Sequence, residues 1–447
     1  MKKIITYISA LFLFAGCSLD IRLEDQFSDP YAITDSETAR ELLASAYNSL
    51  PRFQMEFSIL ADDFYPTSLS QKYAELLNLY NWQEKAIADF SSNVWNEYYM
   101  TVAIVNALLP RLEKLTPKTD QDAVEMARIR SEAYALKAMC YFDLVRLYGP
   151  IVIKNRLEFE TLPRSSVDAC LEEIDRLLDE AEKVTDNETE VFYMSTTAVK
   201  ALRVEFELHR GDYGAAAALA EDMLEGAENR WTKASFENLW SANASDDRIF
   251  APYIFDSFYT DLCYDKAKGD YFILSNEVVY DEADLRKNWS EYGFQMTSGS
   301  VRALGKYNRM YYENTTVRYI NTLRYSGVCF AAAEAYARDE NAEAAVAMVN
   351  RLLGAYGAEL MDDSLEGEAL IEAILVQKHK EFVGEGVRYF DLKRLAKPLK
   401  RYKNLGTSLN STIAADDYRW LFPIPEAEYK YNDMMDQNPE WPFIKTE

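Results

Sequence analysis

The sequence predicts a mostly α-helical fold, a tetratricopeptide-like scaffold of helical hairpins that carries one large, irregular, loop-rich insertion. Three observations predict it. First, Thr196–Leu224 reads as two helices folded back on each other. Ala198, Ala201, Leu202, Val204 and Leu208 form one apolar stripe, and Tyr213, Ala216, Ala217, Ala220, Met223 and Leu224 form the next, both at the i, i+3, i+4, i+7 spacing of a buried face. Between them, Gly211 suits a left-handed helix end and Asp212 an N-cap. Second, EAYARDENAEAAVAMVNRLL from Glu334 repeats the pattern: counted from Arg338 and Arg210, Ala344 and Ala345 fall where Ala216 and Ala217 fell, with Asp339 in place of Gly211. One such hairpin cannot bury its apolar faces alone, so two copies imply stacked neighbours. Third, the stretch 226–312 between them loses helical periodicity and holds 18 aromatic residues in 87, amid Asn, Asp, Ser and Gly.

The remaining elements follow in order. Lys2 and Lys3, then the short apolar run 4–15, read as a signal peptide over 1–16 that is too short to span a bilayer. Ala15-Gly16-Cys17 resembles a bacterial lipobox, which makes Cys17 the expected lipidation site; several acyl chains on one residue anchor stably where one does not. Residues 17–33 then form a polar leash, and 34–447 a single domain. Its helical repeats run over about 34–225 and 313–395, its insertion over about 226–312, and a C-terminal extended segment over about 396–447. Within the first repeats, Thr34–Leu50 is a helix capped by Thr34 or Asp35 and stopped by Pro51. Ser92–Leu115 and 121–148 are long amphipathic helices. Four further cysteines, Cys140, Cys170, Cys263 and Cys329, lack metal spacing. Cys140 and Cys329 read as buried thiols, and a Cys140–Cys170 bridge stays open in an oxidising compartment.

The chain has 447 residues and a formal charge of −25, without a basic stripe, which argues against nucleic acid as a partner. Its two histidines, His209 and His379, have no nucleophile motif beside them, and no phosphate-binding loop or HExxH pattern occurs. No enzyme is therefore expected, although a glycosidase carboxylate pair is defined in space rather than in sequence. No cofactor or metal is expected either, and a loop-bound Ca²⁺ is left open.

RSEAYALKAMCYFDLVRLYGPIVI and LRYSGVCFAAAEAYAR resemble repeat helices of the SusD/RagB family of surface nutrient-binding lipoproteins. KEFVGEGVRYFDLKR (380–394) resembles that family's EF-x-x-EG-x-R-x-x-DL-x-R signature, with Gln377-Lys378 where the family usually has an acidic-basic pair. LFPIP (421–425) and QNP (437–439) resemble its closing elements. On the helix of the signature, Glu385, Arg388 and Asp391 are expected to share a face and pair. The resemblance implies an outer-membrane lipoprotein that binds oligosaccharide, or in other members peptide, and acts as a lid on a SusC-like TonB-dependent transporter. A sugar site needs flat rings for C–H faces and amide, carboxylate or guanidinium groups at the rim. Two stretches offer that mixture. Asp62-Asp63 with Tyr80-Asn81-Trp82 lies where the family places an acid and a tryptophan of its ligand platform. Asp284-Leu285-Arg286 with Trp289 and Tyr292 lies in the insertion. Trp82 and Trp289 are the expected stacking rings, with Asp63, Tyr80, Asn81 and Tyr292 around them.

Overall fold

A computed structural model describes residues 33–66, 73–157, 160–184, 190–226, 230–252, 272–287, 292–298, 301–312, 319–402 and 409–442. The expected signal peptide, Cys17 and the expected leash up to residue 32, as well as Cys263 and Trp289, lie outside them.

Helices open the chain: α1 (Ser36–Asn48), α2 (Gln54–Leu60), a short strand β1 (Phe64–Pro66), α3 (Tyr73–Tyr80), α4 (Glu84–Leu112), α5 (Asp120–Tyr148) and α6 (Val167–Glu182). Their starts are set by side chains that satisfy orphan backbone N–H groups: Asp35 accepts from Thr38 in a capping box, Thr119 from Asp122 and Ser166 from Ala169. Helices α4, α5 and α6 pack side by side, with α1 across α4 and α5. Helix α4 begins eight residues before the predicted start, because Gln83 enters the helix directly from the turn at Trp82.

The first predicted hairpin forms as α7 (Thr196–Arg210) and α8 (Tyr213–Leu224), with Gly211 left-handed at φ 85° and Asp212 accepting from Ala215. The second forms as α11 (Tyr325–Arg338) and α12 (Ala342–Ala355), capped by Asn341. Each hairpin is the neighbour the other requires, since α8 packs along α11. The register differs by one residue from the count based on the two arginines. Buried Ala216, Ala217, Ala220, Met223 and Leu224 correspond to buried Ala345, Val346, Val349, Leu352 and Leu353. The left-handed residue matching Gly211 is therefore Glu340, at φ 59°, and not Asp339.

Between the hairpins lie α9 (Lys233–Leu239), β2 (Arg248–Phe250), β3 (Phe272–Leu274), β4 (Gln295–Ser298), β5 (Val301–Leu304), α10 (Asn308–Tyr312) and β6 (Leu323–Arg324). Four strands make an antiparallel sheet in the order β1-β3-β5-β4, with Phe64 opposite Leu274 and Met296 opposite Ala303. Pro66 is tolerated because β1 is an edge strand. The described rings of the insertion turn inward. Trp240, buried, stands edge-on to Phe294 at 5.2 Å and to Tyr307 at 5.8 Å, while Phe236 meets Tyr356 at 4.9 Å. Much of the aromatic excess is thus a second apolar core that joins the insertion to the repeats.

The chain closes with α13 (Gly367–Phe382), α14 (Val387–Arg394), the hairpin β7 (Leu399–Tyr402) with β8 (Leu409–Ile413), a 3₁₀ turn at Tyr418–Trp420, and α15 (Glu426–Lys430). The segment after residue 396 is thus structured as well as extended. Cys140 and Cys170 are separate free thiols, so the bridge is not formed. Among the described residues no helix is long and apolar enough to cross a membrane.

Candidate functional site

The predicted platform is largely a packed interface. Asp63 is fully buried: Oδ2 accepts from the Gly384 N–H at 2.9 Å and Oδ1 lies 3.0 Å from His379 Nε2. Asp62 accepts from Arg388 Nε at 3.0 Å; burial acts to raise its carboxyl, but the charges of Arg388 and His379 outweigh it and hold the group at about 2. Tyr80 is buried beneath the Arg401 guanidinium, 3.8 Å from the ring centre. Trp82 has no exposed surface. Its indole N–H donates to the Leu60 carbonyl at 2.8 Å, and its ring meets Trp420 edge-on at 4.6 Å. The stacking role expected of Trp82 is therefore corrected to a packing one, because neither ring face is open to a ligand, and Asp63 and Tyr80 are likewise withdrawn from any rim. Asn81 alone of this group is exposed. In the insertion, Tyr292 is half-buried against the core, and Asp284 and Arg286 are buried as a pair at 2.8 Å.

The signature residues also differ from expectation. Glu385, Arg388 and Asp391 do not pair with one another; each reaches a different element. Glu385 precedes α14 and binds Arg324 at 2.8 Å and Lys306 at 2.5 Å. Arg388 takes Asp62, and Asp391 takes Lys378 at 2.8 Å. Gly386 allows this convergence: its φ is 77°, and a Cβ there would come within 3.0 Å of the Gln54 Cα. Arg324 further donates to Glu381 at 2.8 Å and Asp247 at 3.0 Å. Lys306 is so enclosed that burial brings its ammonium down to about 8 despite Glu385. A matched set of buried charges thus clamps insertion, second hairpin and signature together, and removing one partner leaves the others uncompensated. Asp62, Glu277 and His379 place ligand atoms within 4.8 Å of one another, as a metal would need. Arg388, 3.0 Å from Asp62 and 3.7 Å from Glu277, already supplies the positive charge there.

Ring-and-amide chemistry instead gathers in a cleft of about 390 Å³ between α4, the segment after α5, and α15. Trp95 and Tyr99 stand one turn apart on α4, ring centres 4.7 Å apart. The Tyr99 hydroxyl donates to the Val152 carbonyl at 2.7 Å and accepts from its N–H at 3.0 Å, fixing that wall. Opposite stand Glu428, Asn432 and Tyr431, a residue 68% exposed. Burial raises the Glu428 carboxyl even though the Trp95 indole donates to it. At the floor, Asn106 donates to the Lys154 carbonyl at 2.9 Å and accepts from Lys137 at 2.8 Å, and burial lowers the Lys137 ammonium to about 8. Asn96 and Arg156 lie at the exposed edge. Sequence reasoning missed this cleft because Trp95 and Tyr99 fall within the helix expected over Ser92–Leu115 and the opposite wall comes from residues 427–432. The available signal was Tyr431-Asn432, an aromatic and an amide side by side just after the Pro-fixed LFPIP segment.

Hairpin repeats that bear a ring-and-amide cleft define a helical-repeat binding scaffold. The chain belongs to the SusD family: the SusD family profile matches residues 186–441, and a second, described as starch-binding associating with outer membrane, matches residues 21–206. A SusD-like protein from Formosa agariphila is 24% identical over 246 residues, 52% of this chain and 46% of that one, so the match spans less than half of that relative's length. A SusD superfamily protein from Bacteroides vulgatus has a similar fold, with a TM-score of 0.76 at 20% identity over 92% of this chain and all of that one. A SusD-like carbohydrate binding protein from the same species gives 0.73 at 16% identity, covering 90% and 98%.

Proposed function

We propose that this chain is a surface lipoprotein, anchored through Cys17 to the outer membrane, that captures oligosaccharide and passes it to a SusC-like TonB-dependent transporter as a lid, without catalysis. The observation that carries the ligand class is the cleft at Tyr431. It joins an open phenol ring to amides, a carboxyl and a guanidinium within one sugar-sized hollow, the mixture that C–H faces and hydroxyl edges require. The carbohydrate-binding name of one structural neighbour and the starch-binding description of the second family profile support the same class. Peptide capture is the alternative; Trp289 stays proposed as a stacking ring, and Asn81 and Tyr292 as rim groups.

The test is a glycan panel read by tryptophan fluorescence, because Trp95 lines the cleft. A bound oligosaccharide should shift that emission, and Tyr431→Ala should weaken binding roughly tenfold, the equivalent of about 1.4 kcal/mol. The melting temperature should not move, since the ring is exposed. A blank panel together with saturable oligopeptide binding selects the peptide reading, and release of shortened glycan by the pure protein overturns the non-catalytic one.

A further inference from the structure

A second hollow, of about 190 Å³, lies inside the repeats between α7 on one side and α13 and α14 on the other. Its walls are mostly apolar, with Leu202, Phe382 and Phe390 among them, yet charged groups also face it. Those charges are matched inside the protein. Arg146 pairs with Asp143, Lys378 with Asp391 at 2.8 Å, and Arg394 with Glu334 at 2.7 Å. Glu205 is different. Its carboxylate enters the hollow and, among the described residues, makes no hydrogen bond and no ion pair. Arg146 and Lys378 act on it only through space, each already engaged elsewhere. One turn along α7, His209 also lines the hollow, and its buried Nδ1 has no hydrogen-bond partner.

The repeat itself shows what this position takes. The residue matching Glu205 in the second hairpin, at the offset that carries Gly211 onto Glu340, is Glu334. There the carboxylate is clamped by both terminal nitrogens of Arg394, each at 2.7 Å. The same helix position therefore accepts a planar cation in one copy and faces open space in the other.

We propose that this hollow binds a small organic cation, an ammonium or guanidinium group on an apolar body, held by the Glu205 carboxylate. The phenyl walls favour the apolar body through burial; Phe382 and Phe390 already carry Arg324 and Arg146 over their rings, at 4.3 and 4.2 Å, so the ligand's charge is left to Glu205. The size suits a ring with a one- or two-carbon arm, because a cavity of about 150 Å³ already admits benzene. This site is separate from the Tyr431 cleft and does not depend on the glycan reading.

The test uses the full mature chain and three probes: benzylammonium, benzylguanidinium, and benzyl alcohol as the uncharged isostere. Calorimetry and ligand-observed NMR should show 1:1 saturable binding of the two cations, at least tenfold tighter than the alcohol. Glu205→Gln should abolish that preference, and Glu205→Asp should retain part of it. Leu202→Phe, which fills the hollow, should block all three probes. Circular dichroism and thermal unfolding report that each variant remains folded. Equal affinity for cation and alcohol, or cation binding unchanged in Glu205→Gln, overturns the proposal. So does a lack of saturable binding by either cation, which would leave the hollow to water.

Discussion

The two helical hairpins share a backbone plan and differ in how each treats the same positions. Gly211 and Glu340 both adopt left-handed conformations, and both hairpins bury the same stripe of five. Glu205 and Glu334 occupy matching positions, as do His209 and Arg338. In the second hairpin the acid is 1% exposed and doubly bonded to Arg394, whereas in the first it faces a hollow. The repeat therefore dictates which face a side chain takes, and the neighbours dictate whether its charge is satisfied. The signature helix α14 supplies a guanidinium to one copy alone.

That difference can be broken by removing the guanidinium. Arg394→Ala leaves the buried Glu334 without either 2.7 Å contact and with only the Arg338 guanidinium, 3.9 Å away, so urea unfolding should report a loss of about 3 kcal/mol. Glu205→Gln removes a carboxylate that no protein group satisfies and should leave stability within about 0.5 kcal/mol of the parent, or raise it. Similar losses in both variants would mean that the two positions are equivalent after all.

The helical plan was legible because 3.6-residue periodicity, N-caps and alanine stripes are local signals, and they placed α1, α5, α7, α8, α11 and α12 correctly. The one-residue register error arose because Arg210 and Arg338 look like matching helix ends, while α11 stops one residue earlier in register, its Arg338 matching His209, and its turn puts the left-handed residue at Glu340. The candidate site was much less legible. Trp82 has the composition of a ligand ring, but its exposure is set by Leu60, Tyr389 and Trp420, which are remote in sequence. Likewise Glu385, Arg388 and Asp391 have helix-face spacing, yet their partners lie in the turn after α2, on β6, on α13 and in the insertion. Which long-range cation meets which acid is a property of packing that local spacing does not encode.

Acid sharpens the same comparison, because the second hairpin carries a permanent cation where the first carries an imidazole. Burial, reinforced by Arg146, Arg394 and Lys393, depresses His209 from 6.5 to about 3. Between those values the unfolded chain binds a proton that the folded chain refuses. Stability should therefore rise with pH through that window and level off above about 6.5. About 2–3 kcal/mol should be lost between pH 6.5 and 4.5 on this account, and His209→Gln should remove most of that slope. Glu205, raised by burial, works in the opposite sense above its ordinary value of 4.5, so the parent is to be compared with the His209 variant in a Glu205→Gln background. An unchanged acid limb in that pair would place the responsible group elsewhere.

The smallest effect belongs to the turns, where the comparison is cleanest because Gly211 touches no side chain: a Cβ there would meet nothing within 4 Å. Gly211→Ala then measures the left-handed backbone alone, and should cost about 1 kcal/mol. Glu340→Gly is not its mirror image. It relieves a similar strain at φ 59°, but it also gives the unfolded chain the extra freedom of glycine, about 0.5–1 kcal/mol in the other direction. The net gain should be only a few tenths of a kcal/mol, seen as a melting-temperature rise near the limit of detection. Asp339 and Asn341 would hold the turn in either case, Asp339 donating its N–H to the Ala335 carbonyl at 3.0 Å and Asn341 to that of Tyr336 at 2.9 Å. A clear loss on Glu340→Gly would mean that its side chain, and not only its backbone, holds the second hairpin closed.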